Sequence, residues 1–159
     1  MNYCWVILWA AGLWQAGGNL KQVRDAYFAS MRSSADAIRF EHLVDSTKNN
    51  KTPEMLCYKG AAEMLKAKDA LNPVNKYSFF NTGKILIEQA VSKDRTSVEC
   101  RFVRYSMQSN LPHFLGYDGD IYNDRQFIES SFGKITDLDL KKKIIAYLKQ
   151  QKTAVRQND

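Results

Sequence analysis

The sequence predicts an all-α protein of about seven helices. Apolar residues recur three or four positions apart through most of the chain, as they do on the buried face of an α-helix. No segment shows the sustained period-two alternation, bounded by hairpin turns, that is typical of a strand. Because short polar turns with helix-capping residues separate the periodic segments, we expect successive helices to pack as antiparallel neighbours.

The first three helices are predicted from apolar spacing and capping residues. One face of the first helix carries Leu20, Val23, Tyr27 and Met31. Ser33 or Ser34 can cap a second helix, which continues through Val44 to a polar stretch. Thr52-Pro53-Glu54 combines a capping hydroxyl, a proline at the first helical position and an acid in the first turn. These signals predict a third helix that runs to about Leu71.

Small and apolar residues distinguish the third, fourth and fifth helices. Gly60-Ala61 on the third helix allows a neighbouring helix to approach closely. Asn72-Pro73 ends that helix, and a fourth is predicted over residues 75–92. Since the fourth helix is apolar over a wide arc, we expect it to be central and heavily buried. A fifth helix is predicted from Ser97 to Ser109.

The remaining elements are an irregular segment and two helices. Residues 110–120 are predicted to be irregular, and Asp120 can cap a sixth helix that runs through Phe132. Gly133 closes this helix, and Thr136 or Asp137 caps a seventh.

Helix pairs begin near residues 20, 53, 96 and 137, which are spacings typical of helical-repeat proteins. The Gly60-Ala61 pair is loosely similar to the small residues of a tetratricopeptide helix, whereas the Trp, Tyr and Pro landmarks of that repeat are out of register. The chain is therefore predicted to be a degenerate array of helical hairpins, with a compact orthogonal bundle as the alternative.

The N-terminal segment predicts export. Residues 1–18 contain no charged residue or histidine, and they include an apolar run over residues 4–14 followed by small residues. That run has the length of a signal-peptide core and is shorter than the roughly 20 apolar residues of a membrane span. We expect cleavage before Asn19, a single helical domain over residues 19–152, and a frayed polar tail over residues 153–159. The mature protein would be periplasmic or secreted, with no stable membrane span.

A basic n-region is absent from this segment, and two alternatives therefore stay open. One is an uncleaved membrane anchor, and the other is a buried first helix of a cytosolic protein.

The charge balance is positive, with 23 Lys and Arg against 17 Asp and Glu, a net charge of +6. Because the basic residues are spread along the chain, a nucleic-acid partner is not expected. The one dense run is Lys141-Lys142-Lys143, with Lys149 beyond it. It is interpreted as the solvated face of a helix, and the alternative is a surface that binds anionic lipid or polymer.

Two cysteines follow the predicted signal, Cys57 and Cys100. In an oxidising compartment they could form a disulfide, but both lie in apolar helical patterns, so two buried free thiols are equally consistent with the sequence. The chain has no CxxC motif or Cys/His cluster, and no metal or cofactor is predicted.

About half of the chain, residues 58–127, resembles a group of small exported all-helical proteins of Bacteroidota-type bacteria. The motifs that carry this resemblance are Tyr58-Lys59-Gly60-Ala61, Asn72-Pro73-Val74-Asn75-Lys76, Phe79-Phe80-Asn81-Thr82-Gly83-Lys84, Glu99-Cys100-Arg101-Phe102 and Leu111-Pro112-His113-Phe114-Leu115-Gly116-Tyr117. The resemblance implies export and an all-helical fold, and it implies no activity or catalytic residue.

The best candidate for a functional site is the irregular segment, because a merely solvated linker would not need its large apolar residues. It could display His113, Tyr117 and Asp118 beside Arg101 and Arg104 of the preceding helix. Alternatively, its apolar side chains fold back over the helices.

Several charged residues could also form a cluster between the fifth and sixth helices: Glu99, Arg101, Arg104, Asp124 and Arg125.

The functional prediction is an exported interaction module that binds a protein or peptide partner without catalysis, since such helical arrays present binding faces. The alternative from another class is a small hydrolytic enzyme or accessory subunit that uses His113, which would have to lie within reach of a hydroxyl or thiol.

Overall fold

A computed structural model describes residues 11–47 and 51–157, with the backbone alone described for residues 11–19 and 152–157. Within these residues the chain forms seven α-helices, one 3₁₀ turn and no strand, which confirms the predicted fold class. The helices are α1 (Ala11–Ser30), α2 (Ser34–Ser46), α3 (Pro53–Asp69), α4 (Pro73–Lys93), α5 (Val98–Asn110), α6 (Ile121–Ser131) and α7 (Leu138–Gln157). The 3₁₀ turn covers His113–Leu115, between α5 and α6.

Most of the predicted helix starts are confirmed by side-chain hydrogen bonds. Ser33, Thr52 and Ser97 each occupy the N-cap position and accept a backbone N–H from the first turn of their helix. Asn72 lies beyond the end of α3 at Asp69, and its side chain caps α4, of which Pro73 is the first residue. The turn between α3 and α4 is therefore short, and the two helices form a tight hairpin.

The caps of the last two helices differ from each other. Asp137 accepts the backbone N–H groups of Asp139 and Leu140 at 3.1 and 3.0 Å, as predicted for α7. Asp120 precedes α6, but its side chain accepts no capping hydrogen bond, so that prediction is wrong. Its carboxylate instead lies 3.2 Å from the guanidinium of Arg104.

Helices α3 and α4 approach each other closely at two glycines. A Cβ atom on Gly60 would lie 2.7 Å from the backbone oxygen of Gly83, and a Cβ on Gly83 would lie 2.6 Å from the backbone oxygen of Gly60. The prediction that Gly60 permits a close approach is confirmed. The pairs α1–α2 and α5–α6 also pack together, which is compatible with a hairpin array. The repeat relationship between hairpins stays a prediction.

The central helix is α5, and not α4 as the sequence predicts. Eight of the 13 residues of α5 are buried, including the charged Glu99 and Arg104. On one side of α5, Phe102 packs between Phe28 and Tyr147, with both ring centroids 5.2 Å away. By contrast α4 contacts mainly α3 and α5, and its opposite side is exposed. The wide apolar arc of α4 misled the prediction because part of that arc has no neighbouring helix among the described residues.

The predicted signal peptide lies mostly outside the described residues, since the structure describes no residue before Ala11. In the described part of the chain, no helix is both long and apolar enough to cross a membrane. Helix α7 extends through Gln157, so residues 153–157 of the predicted polar tail have helical backbone. Residues 158–159 lie outside the described range.

Candidate functional site

The segment over residues 111–120, here called the α5–α6 loop, is held against the helices at several points. Leu111 and Leu115 are partly buried and pack against the core. Tyr117 is 6% exposed, and its hydroxyl donates a 2.7 Å hydrogen bond to Oε1 of Glu88 on α4. Gly116 adopts φ 60°, a left-handed conformation that suits glycine, and it ends the 3₁₀ turn. These contacts determine the path of the loop.

Tyr117 makes two further contacts with α4. Its ring lies edge-on to Phe80, with the centroids 6.2 Å apart, and the ammonium of Lys84 lies 5.2 Å from its centroid. Burial, followed by the contact with Glu88, raises the pKa of the tyrosine far above its ordinary value, so the phenol stays protonated and donates. Tyr117 therefore supports the loop and is not displayed for a ligand.

Other residues of the same loop point to solvent. The side chain of His113 is 89% exposed, and Phe114 is 86% exposed. Nδ1 of His113 lies 2.9 Å from Oδ2 of Asp118, which orients the imidazole across the loop. The two interpretations of this segment thus apply to different residues. Leu111, Leu115 and Tyr117 fold back over the helices, whereas the tip of the 3₁₀ turn is displayed.

The two predicted arginines lie beneath the loop in an ion-pair network. Arg104 is 5% exposed and donates to both carboxylate oxygens of Asp124, at 2.7 and 2.9 Å. It also donates to Glu88 at 2.7 Å. Burial alone would lower the pKa of Arg104, but its bonds to Asp124 and the neighbouring carboxylates raise it, so the guanidinium stays charged. The network continues from Tyr117 through Glu88 and Arg104 to Asp124, and it joins the loop to α4, α5 and α6.

Arg101 belongs to the same network. Its Nη1 donates to Oδ1 of Asp124 at 2.8 Å, and its guanidinium lies 4.9 Å from the ring centroid of Phe127. Like Arg104, it is engaged by internal contacts. The structure thus brings Arg101 and Arg104 together on Asp124, whereas His113 hydrogen-bonds to Asp118.

A second buried network involves Glu99, which the sequence groups with Arg101 and Arg104. The structure contradicts this grouping, because Glu99 accepts two 2.8 Å hydrogen bonds from Arg24 of α1 and one of 2.6 Å from the hydroxyl of Tyr58. Residues two or five positions apart on a helix do not share a face, so Glu99 points away from both arginines. Arg125 also lies outside the cluster and pairs with Glu129.

Sequence reasoning missed Arg24 and Glu88, although both carry a signal. Arg24 falls within the apolar stripe of α1, next to Val23 and three residues before Tyr27. A charged residue on a buried stripe requires a partner. Glu88 is the single acidic residue of α4. Neither signal identifies the partner, because each partner comes from a distant part of the chain.

Cys57 and Cys100 are buried free thiols. Cys57 and Cys100 are both 0% exposed, and the thiol of Cys57 lies 3.7 Å from the backbone oxygen of Cys100. Burial, together with the neighbouring Cys100, raises the pKa of Cys57 well above its ordinary value. A protonated thiol without solvent access is a poor nucleophile.

The chemistry available to His113 is limited by its neighbours. Asp118 supplies the orienting acid of a catalytic arrangement, but within the described residues no serine, threonine or cysteine side chain hydrogen-bonds to the imidazole. The same part of the chain contains no group of three or more His, Cys, Asp or Glu residues placed to hold a metal ion.

The lysine run on α7 is partly neutralised. Lys143 lies 2.8 Å from Asp25 of α1 and also pairs with Asp139. The pKa of Asp25 is lowered by its hydrogen bonds to Lys143 and Lys21. The third lysine of the run therefore joins α7 to α1.

Comparison with known proteins finds no family model, no curated protein and no solved structure that matches the chain. What the α5–α6 loop does is therefore inferred from its own geometry and chemistry.

Proposed function

We propose that this protein is an exported helical interaction module that binds a protein or peptide partner through the α5–α6 loop. The observation that carries the proposal is Phe114, which is 86% exposed on a loop that is held in place on both sides. Fully burying a phenylalanine side chain is worth about 1.5–3 kcal/mol. Because the ring of Phe114 is mostly exposed in the fold, most of this burial free energy is still available for binding a partner.

The support beneath the loop reduces the cost of binding. A flexible loop loses conformational freedom when it binds, and each ordered side chain costs about 0.5–1.5 kcal/mol. Here Leu111, Leu115 and Tyr117 already fix the backbone on either side of Phe114. A partner therefore meets an aromatic side chain whose backbone is ordered before contact.

The polar groups around Phe114 suit the rim of an interface. His113 and Asp118 lie on the same loop, and their mutual hydrogen bond leaves the other imidazole nitrogen exposed. Protein interfaces typically combine a central aromatic residue with a polar, solvent-accessible rim. A peptide or protein surface with a small apolar pocket and a hydrogen-bonding group beside it fits this arrangement.

The His113–Asp118 pair also favours a second candidate, a small hydrolytic enzyme. The pair corresponds to the base and orienting acid of a catalytic triad. A nucleophile is the missing part, since no hydroxyl or thiol of the described residues bonds to His113, and Cys57 and Cys100 are buried. The binding proposal needs no additional group, and it is therefore better supported.

Site-specific photo-crosslinking in the source cell tests the binding proposal. A benzophenone amino acid at position 114 is expected to give a discrete crosslinked protein or peptide. Leu138, at the start of α7 and 66% exposed, is the matched control position and should give none. Absence of a crosslink at 114, or the same products at both positions, would contradict the proposal.

Export is tested separately by N-terminal sequencing of the protein recovered from the source cell. We expect a mature chain that begins near Asn19 and fractionates outside the cytoplasm. Cytoplasmic protein that retains Met1 would contradict export and leave the binding proposal to be judged by the crosslinks.

A further inference from the structure

The outer face of α4, opposite its contact with α3, carries apolar side chains that the fold does not use. All residues from 71 to 78 are exposed. Val74 is 73% exposed, Tyr77 is 69% exposed, and Ile85 is 47% exposed. The positions of these three residues place them within one arc of the helix. The outer face of α4 is thus an apolar stripe that no other helix of the described chain covers.

A shallow groove continues the stripe toward the C-terminal end of α4. It has a volume of about 530 Å³ and is lined by Lys84, Ile85, Glu88, Gln89, Ser92 and Lys93. Lysines lie at both ends of the groove, roughly 13 Å apart along the helix at 1.5 Å per residue. Along α4, Val74 and Tyr77 therefore lie N-terminal to the groove, Ile85 is the one apolar residue that lines it, and a positive charge lies at each of its ends.

Two lysines of this face have no ion-pair partner among the described residues. In the part of the chain that the structure describes, neither Lys84 nor Lys93 forms an ion pair, and the ammonium of Lys84 lies 5.2 Å from the ring centroid of Tyr117. Glu88 is the one carboxylate on α4, and hydrogen bonds from Tyr117 and Arg104 already engage it. The face thus presents a positive potential beside exposed apolar groups.

We infer that the outer face of α4 docks an acidic amphipathic helix of a partner protein, and this inference rests on the proposed binding function. A helix that places apolar residues at intervals of three and four would pack on Val74, Tyr77 and Ile85. Its flanking carboxylates would meet Lys84 and Lys93. The α5–α6 loop borders the same surface, since Tyr117 contacts both Lys84 and Glu88.

The positive charge of Lys84 and Lys93 favours an acidic partner helix over a second copy of the chain. In a symmetric dimer the same patch contacts itself, so the lysines of one α4 would face those of the other without free carboxylates between them. Like charges in such an interface disfavour association.

The composition of the face also argues against a membrane. Helices that lie in a bilayer surface present a wide apolar face that is rich in Trp, Phe and Leu. Here polar residues interrupt the stripe, including Asn81, Gln89 and Ser92, which are all exposed.

Fluorescence anisotropy with designed peptides tests the inference on the purified full chain. The probe is a labelled amphipathic helical peptide of about 20 residues, long enough to cover α4 at 1.5 Å per residue, with leucines on one face and glutamates beside them. The matched peptide has lysine in place of each glutamate. We expect the acidic peptide to bind at least about tenfold more tightly than the basic one and to weaken as salt rises.

Substitutions locate the peptide. Ile85→Ala and Lys93→Glu should each weaken binding of the acidic peptide by about fivefold or more. The matched controls are Ile38→Ala, at an α2 position that is 49% exposed, and Lys142→Glu, at an exposed position of α7. Neither control should change affinity. Circular dichroism of each variant verifies that the fold is retained.

Three outcomes would overturn the inference: equal affinity for the two peptides, equal losses in the test and control variants, or binding to anionic phosphatidylglycerol vesicles in place of the peptide. Each is distinguishable from a failure of the proposed function. Crosslinking at position 114 without peptide binding would refute only the docking role of the α4 surface. Peptide binding to α4 without any crosslink at position 114 would refute the proposal that the α5–α6 loop binds the partner.

Discussion

Replacing either glycine of the α3–α4 contact with alanine should destabilise the protein, although alanine is the better helix former. A Cβ on Gly60 would lie 2.7 Å from the backbone oxygen of Gly83 and 2.7 Å from Cγ1 of Ile87. Ordinary van der Waals contact begins at 3.4 Å, so the two helices would have to separate locally by about 0.7 Å. One of the two obstructing atoms belongs to the backbone and cannot move by changing rotamer.

Two opposing terms determine the size of the effect. Alanine gains about 1 kcal/mol of helix propensity over glycine. Overpacking costs about 1–3 kcal/mol and sometimes more, and a gap of 0.5–1 Å forfeits about a quarter to a half of each dispersion contact along the interface. Because the α3–α4 contact is the most extensive in the described chain, we place the overpacking term above this range and expect a net loss of about 2–3 kcal/mol.

Urea unfolding, followed by circular dichroism at a helix band, measures the loss. Gly119→Ala is the matched control, since a Cβ at Gly119 meets no atom within 4 Å and its φ is not positive. It should be neutral or slightly stabilising. The double variant Gly60→Ala/Gly83→Ala should cost less than the two single changes together, because the first alanine already separates the helices. A Gly60→Ala protein as stable as the wild type would refute the close approach.

Three further predictions concern Asp124, the two cysteines Cys57 and Cys100, and Asp137. Asp124→Asn, which weakens a fully buried ion pair, should lower the free energy of unfolding by about 3 kcal/mol, whereas Arg125→Ala at an exposed pair should cost less than about 1 kcal/mol in the same urea experiment. Cys57 and Cys100 should resist a thiol reagent in the native protein and react once urea unfolds it, and rapid native labelling would contradict their burial. Burial alone would raise the pKa of Asp137, but hydrogen bonds from backbone N–H groups and the guanidinium of Arg24 lower this pKa overall. The ionised carboxylate therefore stabilises the fold above the ordinary pKa of 3.8, and this stabilisation is lost as the pH falls through the pKa of the folded state. Asp137→Asn keeps a capping side chain and should flatten the acid limb of a stability–pH curve, and an unchanged limb would contradict this role.

The features that the sequence predicts correctly are local. A capping hydroxyl such as that of Thr52 acts within three residues of its own position, so its effect is visible in the chain itself. The close helix contact at Gly60 is also visible, because a small residue in an apolar stripe indicates which face a neighbour approaches. Its counterpart Gly83 is not identified in this way, since pairing two helices requires the tertiary arrangement.

The features that the sequence misses depend on which helices meet. The wide apolar arc of α4 predicts burial, yet Val74 and Ile85 lie on a side that no helix of the described chain covers. The converse holds for α5, which carries Glu99 and Arg104 and still lies at the centre of the fold. Each charge is neutralised by a residue from a distant helix. An amphipathic pattern cannot distinguish a charge that faces water from one that faces a buried partner.

The two buried networks give α5 a role beyond its own packing. Glu99 near its N-terminus bonds to Arg24 of α1, and Arg104 one and a half turns later bonds to Asp124 of α6 and Glu88 of α4. Replacing a buried ion pair with apolar residues is often neutral or stabilising, so stability alone does not account for two such networks on one helix. Directional hydrogen bonds do specify the rotation and register of α5 against its neighbours. The α5–α6 loop begins where α5 ends and is held to Glu88 by Tyr117. The position at which Phe114 is displayed therefore depends on ion pairs that are buried beneath the loop.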